Sequence, residues 1–254
     1  MTSRIKKAAA AFMFSVLALS GAFLLCDVHA ISASAKDQGN DGPPIVKITA
    51  PKNNSTYSWN SLVNYSIVVT YQGRSTQYQE IPSNEVLLRT TYVADLSAMA
   101  GEPAPTAAPT PPGLLDITNS TCLGCHQFKA KAMGPSFAAI GERYPKSQAT
   151  TDTLSQHIRA GSTGVWGQGS MPSQTQLTED RLHAIVRWIM NDAANPNVNY
   201  YVGTEGSFRM DAAGTPDSKG GIILTASYTS PASAPTPNPE QAPHGEDTVI
   251  VDGK

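Results

Sequence analysis

The chain has 254 residues, and its 18 Lys and Arg against 20 Asp and Glu give a formal net charge of −2, which excludes the strongly basic surface that nucleic acid selects. Aromatic residues make up only 7% of the chain while 20 Gly and 19 Pro punctuate it, a composition that suits β-rich modules joined by long linkers. Three cysteines are too few for a disulfide framework.

Residues 1–30 read as a secretory signal. Arg4, Lys6 and Lys7 form a basic head, Ala8 to Leu25 an apolar run, and Val28-His29-Ala30 a small-x-small cleavage site, with Ala33-Ser34-Ala35 as a second. Retention as an anchor is the alternative, because the run is long enough to span a membrane. Lipidation of Cys26 is a third option, opposed by the large Leu25 before it. Cleavage after Ala30 takes the formal charge from −2 to −4, since Arg4, Lys6, Lys7 and Asp27 leave together. A periplasmic or otherwise exported location follows, with membrane contact only through a retained signal or a lipidated Cys26.

Residues 43–98 form the first part of a β-module. Ile45 to Thr49 alternates with Val46 and Ile48 on one face. Val63, Tyr65, Ile67 and Val69 recur two apart in a second run, and Val86 to Val93 is a third. Three strands do not close a sandwich. Residues 101–113 hold five prolines in thirteen positions and read as an extended linker.

Residues 114–192 are helical. Pro135 to Tyr144 and Thr151 to Arg159 predict two short helices, with Gly161 after the second. Thr178 is an N-cap candidate before Glu179 and Asp180, and Leu182, Ile185, Val186 and Ile189 follow at i, i+3, i+4 and i+7, ending near Asn191. Residues 197–254 return to β character, with strands at Ile222 to Tyr228 and Thr248 to Val251 and a Pro-rich exposed loop at 230–244. The two β segments together supply enough strands for one Ig-like sandwich, with the helical part inserted into it. The simpler arrangement is three consecutive modules with a loose tail. The expected fold class is thus α plus β multidomain: an all-α domain with a β-sandwich built from its flanks.

Within the helical segment stands Cys122-Leu123-Gly124-Cys125-His126, the C-x-x-C-H attachment pattern of a c-type haem. Two intervening residues let one turn present both thiols for thioether bonds, and the next His offers a ring nitrogen to the iron. Gly124 lets the backbone pass close to the macrocycle. A thioredoxin-like pair needs a βαβ setting that is missing, and a zinc site needs two more ligands at knuckle spacing, whereas Cys26 is the one other Cys. Attachment of this type takes place outside the cytoplasm, in keeping with the signal, and it consumes both cysteines of the mature chain.

The opposite iron ligand is sought among seven methionines. Met1 and Met13 belong to the signal, Met99 precedes the linker, Met133 is too near His126, Met190 lies on the last helix and Met210 in the second β segment. Met171, in a loop stiffened by Pro172, remains; core filling is the alternative role for any Met.

Residues 122–190 resemble a small monohaem bacterial class I cytochrome c. The resemblance rests on Cys122 to His126, Gly134-Pro135-Ser136, Gly164-Val165-Trp166-Gly167, Met171-Pro172 and the final helix with Trp188. It implies His126 and Met171 as iron ligands, a hydrogen bond from His126 to the Pro135 carbonyl, and a propionate contact from Trp166, whose alternative is loop packing. Many relatives have Arg where this chain has His157. A propionate-facing His157 lowers the potential as pH rises; a solvated surface His is the alternative. His183 and His244 are expected to face solvent.

Pro44 to Ser55 and Leu224 to Thr229 resemble Ig-like or PKD-like modules of exported bacterial proteins, which accompany haem domains in quinoprotein sugar dehydrogenases. The dehydrogenase propeller is absent. The resemblances imply a one-electron carrier with one covalent haem c, not an enzyme. Its partners would be redox proteins: a dehydrogenase donor and an oxidase or other cytochrome acceptor. A peroxidase-like or gas-sensing subunit, which needs an open iron site, and a carbohydrate- or partner-binding module carrying a haem domain are the alternatives.

Overall fold

The computed structural model describes residues 42–99, 110–212, 219–231 and 242–254. The signal, its cleavage sites and Cys26 lie outside the described residues, as do residues 101–109 of the linker and 232–241 of the Pro-rich loop.

Before the helical part come β1 (Ile45–Ala50), β2 (Ser55–Tyr57), β3 (Leu62–Tyr71), β4 (Arg74–Ser75) and β5 (Val86–Val93). The helical part holds α1 (Pro112–Thr118), α2 (Phe137–Arg143), α3 (Gln148–Ala160), the hairpin β6 (Ser162–Gly164) and β7 (Gly167–Met171), and α4 (Glu179–Asn191). After it come β8 (Val198–Val202), β9 (Glu205–Arg209), β10 (Gly221–Thr229) and β11 (His244–Gly253).

Strands from the two flanks pair with each other. In one sheet β3 lies between β1 on one side and β9 and β4 on the other, with Val46 opposite Val69 and Val63 opposite Phe208. The other sheet runs β2-β11-β10-β5-β8; β10 is antiparallel to both neighbours, with Leu224 opposite Thr90 on one side and Val249 on the other. Alternate residues of both sheets meet in one core, which includes Ile48, Tyr65, Ile67 and Phe208 from the first and Leu88, Leu224, Tyr228 and Val251 from the second.

Strand β10 is buried on both faces from Gly221 to Tyr228. Ile222, Leu224, Ala226 and Tyr228 belong to the core between the sheets, while Ile223, Thr225 and Ser227 point the opposite way by strand alternation. A strand covered on both sides reads as an unbroken apolar run rather than an alternating one, which is the pattern of Ile222-Ile223-Leu224.

The outer face of this sheet meets the helices. Leu87 of β5 and Tyr200 and Val202 of β8 share a second cluster with Leu114, Ile117, Phe128, Leu182, Ile185 and Trp188. Helix α4 forms as its pattern predicts: the Thr178 hydroxyl accepts from the Arg181 N–H, and Leu182, Ile185, Val186 and Ile189 are all buried. Its other side packs Val186 and Met190 on Leu154 of α3. Helix α1 crosses α4 so closely that a Cβ on Gly113 would lie 2.1 Å from the Ala184 carbonyl oxygen.

Two boundaries differ from expectation. The linker does not extend to residue 113, because Pro112 starts α1; proline suits the first helical position, where its missing N–H is not needed. The segment 230–244 is not loop at its ends, since Ser230 is buried, its N–H bonds the Pro243 carbonyl at 2.9 Å, and His244 already belongs to β11.

Candidate functional site

Residues 122–124 form a 3-10 turn, and the N–H groups of Cys125 and His126 both bond the Cys122 carbonyl, at 3.2 and 3.0 Å. The tight winding brings both half-buried thiols onto one turn, and they are not joined in a disulfide. Burial pushes the Cys122 thiol up, against a hydrogen bond with Ser120 that lowers it. Among the described residues no three His, Cys, Asp or Glu side chains gather as a metal cluster. A Cβ at Gly124 would meet nothing within 4 Å, so the space beside the turn is open.

His126 is 9% exposed. Its Nδ1 lies 2.7 Å from the Pro135 carbonyl oxygen. A carbonyl only accepts, so Nδ1 donates, and in the neutral ring this is the tautomer that leaves the Nε2 lone pair an iron ligand requires. The ring stacks on Phe137, with centroids 5.4 Å apart. Residues 125–128 and 134–138 run side by side, linked from Gly134 N–H to Cys125 O, Phe137 N–H to Gln127 O and Ala138 N–H to Phe128 O. Ser136 then caps α2 by accepting from the Ala139 N–H at 3.1 Å. Thiols on one open turn and an imidazole that donates through Nδ1, with Nε2 left out of that bond, fit a covalently held haem.

Met171 does not sit in an irregular loop: it ends strand β7, with Ser162 opposite. Gly164 and Gly167, at φ of +79° and +102°, supply the turn. Gly161 has φ of +80°, and a Cβ there would lie 2.7 Å from the Met171 carbonyl oxygen, so only glycine lets α3 end against this segment. The Gln174 N–H bonds the Ile158 carbonyl at 3.0 Å, and its buried Oε1 accepts from Thr121 Oγ1 at 3.2 Å and Gln176 Nε2 at 2.7 Å. Gln174 thus braces the segment after Met171 against the residue before Cys122. Sequence reasoning missed it, for an isolated Gln carries no local signal. The other methionines with described side chains are placed elsewhere: Met133 is 78% exposed, and Met190 and Met210 are buried in packing clusters.

Trp166, at the hairpin turn, is 40% exposed. The Arg143 guanidinium lies 4.3 Å from its ring centroid and donates to the Val165 carbonyl at 3.0 Å. His157 is half-buried in the last turn of α3, and no hydrogen bond or ion pair holds it among the described residues. His183 and His244 do not simply face solvent. His183 Nε2 lies 3.1 Å from Glu179 Oε1 across one helical turn, and His244 Nδ1 lies 2.9 Å from Thr229 Oγ1.

A helical segment wrapped around a C-x-x-C-H turn is that of a class I monohaem cytochrome c domain. Residues 114–189 match the family model described as cytochrome c oxidase, cbb3-type, subunit III. Cytochrome c-552 of Hydrogenobacter thermophilus is 34% identical over 70 residues, 28% of this chain and 70% of that protein. Cytochrome c-551 of Allochromatium vinosum is 32% identical over 83 residues, 32% of this chain and 88% of that protein. The crystal structure of Nitrosomonas europaea cytochrome c552 shares 30% identity over 30% of this chain and 94% of that chain, with a TM-score of 0.29 that says nothing of the chain as a whole. The chain belongs to the cytochrome c family. It is accordingly an electron-transfer protein that carries covalently bound haem c with iron and exchanges electrons with redox partner proteins.

Proposed function

We propose that the chain is a periplasmic or otherwise exported one-electron carrier serving an exported dehydrogenase or a respiratory chain. Cys122 and Cys125 would hold the haem through thioethers, with His126 and Met171 on the iron, Pro135 orienting His126, and Trp166 and His157 near the propionates. When bound, the haem supplies a one-electron ferric–ferrous couple. The observation that carries this reading is the 2.7 Å contact of His126 Nδ1 with the Pro135 carbonyl, which leaves Nε2 for the metal. Met171 is supported by the two ties on its segment, the Gly161 approach and the Gln174 brace. A thioether ligand raises the potential and keeps the iron six-coordinate, which suits transfer rather than substrate chemistry.

The paired flanking strands and their common core support the reading of an Ig-like sandwich into which the cytochrome domain, residues 114–192, is inserted. No helix among the described residues is long and apolar enough to cross a membrane. The test is reduced-minus-oxidised spectroscopy of the wild type and Met171→Ala. Loss of the Met–iron charge-transfer band in the variant is expected, and its persistence overturns the ligand assignment. Carbon monoxide added to the reduced wild type should give no rapid spectral shift.

A further inference from the structure

Strand β8 lies outside the family match and presents two faces. Tyr201 packs on the core between the sheets, its ring 6.1 Å from that of Tyr65. Tyr200 and Val202 point the other way and join the helical cluster. The Tyr200 ring is 5.3 Å from Phe128 and 5.6 Å from Trp188. Trp188 in turn lies 6.1 Å from Phe137, which stacks on His126. Rings in contact therefore run without a break from the outer face of a β-sheet to the imidazole.

Phe137 and Trp188 are each only 3% exposed. Tyr200 and Val202 of the β-module pack against this cluster, so the wall is built from the helices and the sheet together. Aromatic pairs at these separations attract beyond what burial of their area gives. A close-packed interior passes on a displacement instead of absorbing it.

We propose that Tyr200 is a positioning residue for His126: the β-module supplies the outer layer of the aromatic wall behind the imidazole and thereby sets the potential of the haem. The proposal rests on the reading of His126 as an iron ligand. Removing the Tyr200 ring opens the wall to water. Water there favours the more highly charged ferric state, so the potential falls. The ring contacts carry the effect; the Tyr200 hydroxyl also interacts with Trp188, and Tyr200→Phe removes that contact alone.

The experiment uses the full-length holoprotein with Tyr200→Leu, Tyr200→Phe, Val202→Ala and Tyr201→Leu. The midpoint potential is read by redox titration, and the His126 ring protons by their hyperfine-shifted NMR resonances in the ferric state. Tyr200→Leu should lower the potential and move the resonances, Tyr200→Phe, which keeps the ring, should stay much nearer wild type than Tyr200→Leu in both, and Val202→Ala should give a smaller change in the same direction. Tyr201→Leu, on the same strand but the opposite face, should leave both unchanged. Wild-type potential and resonances in Tyr200→Leu, or an equal effect of Tyr201→Leu, overturn the proposal. If Tyr200→Leu does not fold, Val202→Ala decides, and no response there overturns it. Absence of hyperfine-shifted His126 resonances in the wild type overturns the ligand reading itself, and the proposal with it.

Discussion

Gly134 faces the His126 ring so closely that a Cβ at position 134 would lie 2.6 Å from His126 Cε1 and 2.8 Å from Nδ1. The ring cannot retreat, because Phe137 stacks against it and Pro135 holds Nδ1. Gly134→Ala should therefore strain the imidazole and weaken its bond to Pro135. Overpacking of this kind costs about 1–3 kcal/mol. Denaturant unfolding of the holoprotein reads the loss, and altered His126 resonances locate it; a variant as stable as wild type with an unmoved ring would contradict the contact.

The elements that local pattern determines were legible. Helix α4 carries its cap, its acidic first turn and its 3.6-residue period in one stretch, and β3 alternates cleanly from Val63 to Val69. What escaped depends on partners far along the chain. Strand β8, Val-Asn-Tyr-Tyr-Val, does not alternate polar with apolar, because Tyr201 serves one core and Tyr200 another. Helix α1 was hidden by the prolines before it. The β6–β7 hairpin is set by the left-handed Gly164 and Gly167, which alternation does not show. At the site, Cys122, Cys125 and His126 were readable from spacing, and the Pro135 contact from family resemblance. Gln174 and Tyr200 were not, since each acts through a tertiary contact with no local spacing.

Arg143 bridges α2 to the hairpin that ends in Met171. Its guanidinium lies over both Trp166 and Tyr144, at 4.3 and 5.5 Å from their centroids, and bonds the Val165 carbonyl. Arg143→Ala should free the hairpin turn, at a cost of about 0.5–1 kcal/mol for the exposed cation–π contact. Faster exchange of the Gly164–Gly167 amides and, with Met171 on the iron as proposed, a weaker Met–iron band are the expected readouts. Arg143→Lys keeps the charge but loses the planar stack, and should recover only part of both.

Stability should also respond to Asp116, which joins α1 to α4 by accepting from Arg181 Nε at 2.6 Å. Burial pushes its carboxyl above the usual range, and Arg181 opposes this only in part. The folded chain thus holds the proton to higher pH than the unfolded chain does. This residue's contribution to stability should fall as pH rises from the ordinary carboxylate value through the raised one, and stay level beyond. Asp116→Asn keeps the acceptor oxygen and removes the charge, so it should flatten that part of the profile. Urea unfolding across the acid-to-neutral range measures it; a wild type that gains stability over this window, with the gain lost in Asp116→Asn, would show that pairing with Arg181 outweighs burial.

The proposed place of His157 near the propionates predicts a separate pH dependence, of the potential rather than of stability. If it stands by a propionate, its positive charge favours the reduced haem, which carries one charge fewer. Deprotonation removes that preference, so the potential should fall as pH rises between about 5 and 8, the range in which imidazole titrates. His157→Gln keeps a polar side chain of similar reach without the titration, and its potential should stay level over the same range. Redox titration of both proteins at half-unit pH steps decides the matter. A flat wild-type profile removes His157 from the propionates and leaves it a surface residue of α3, whereas a slope that survives in His157→Gln assigns the effect to another group.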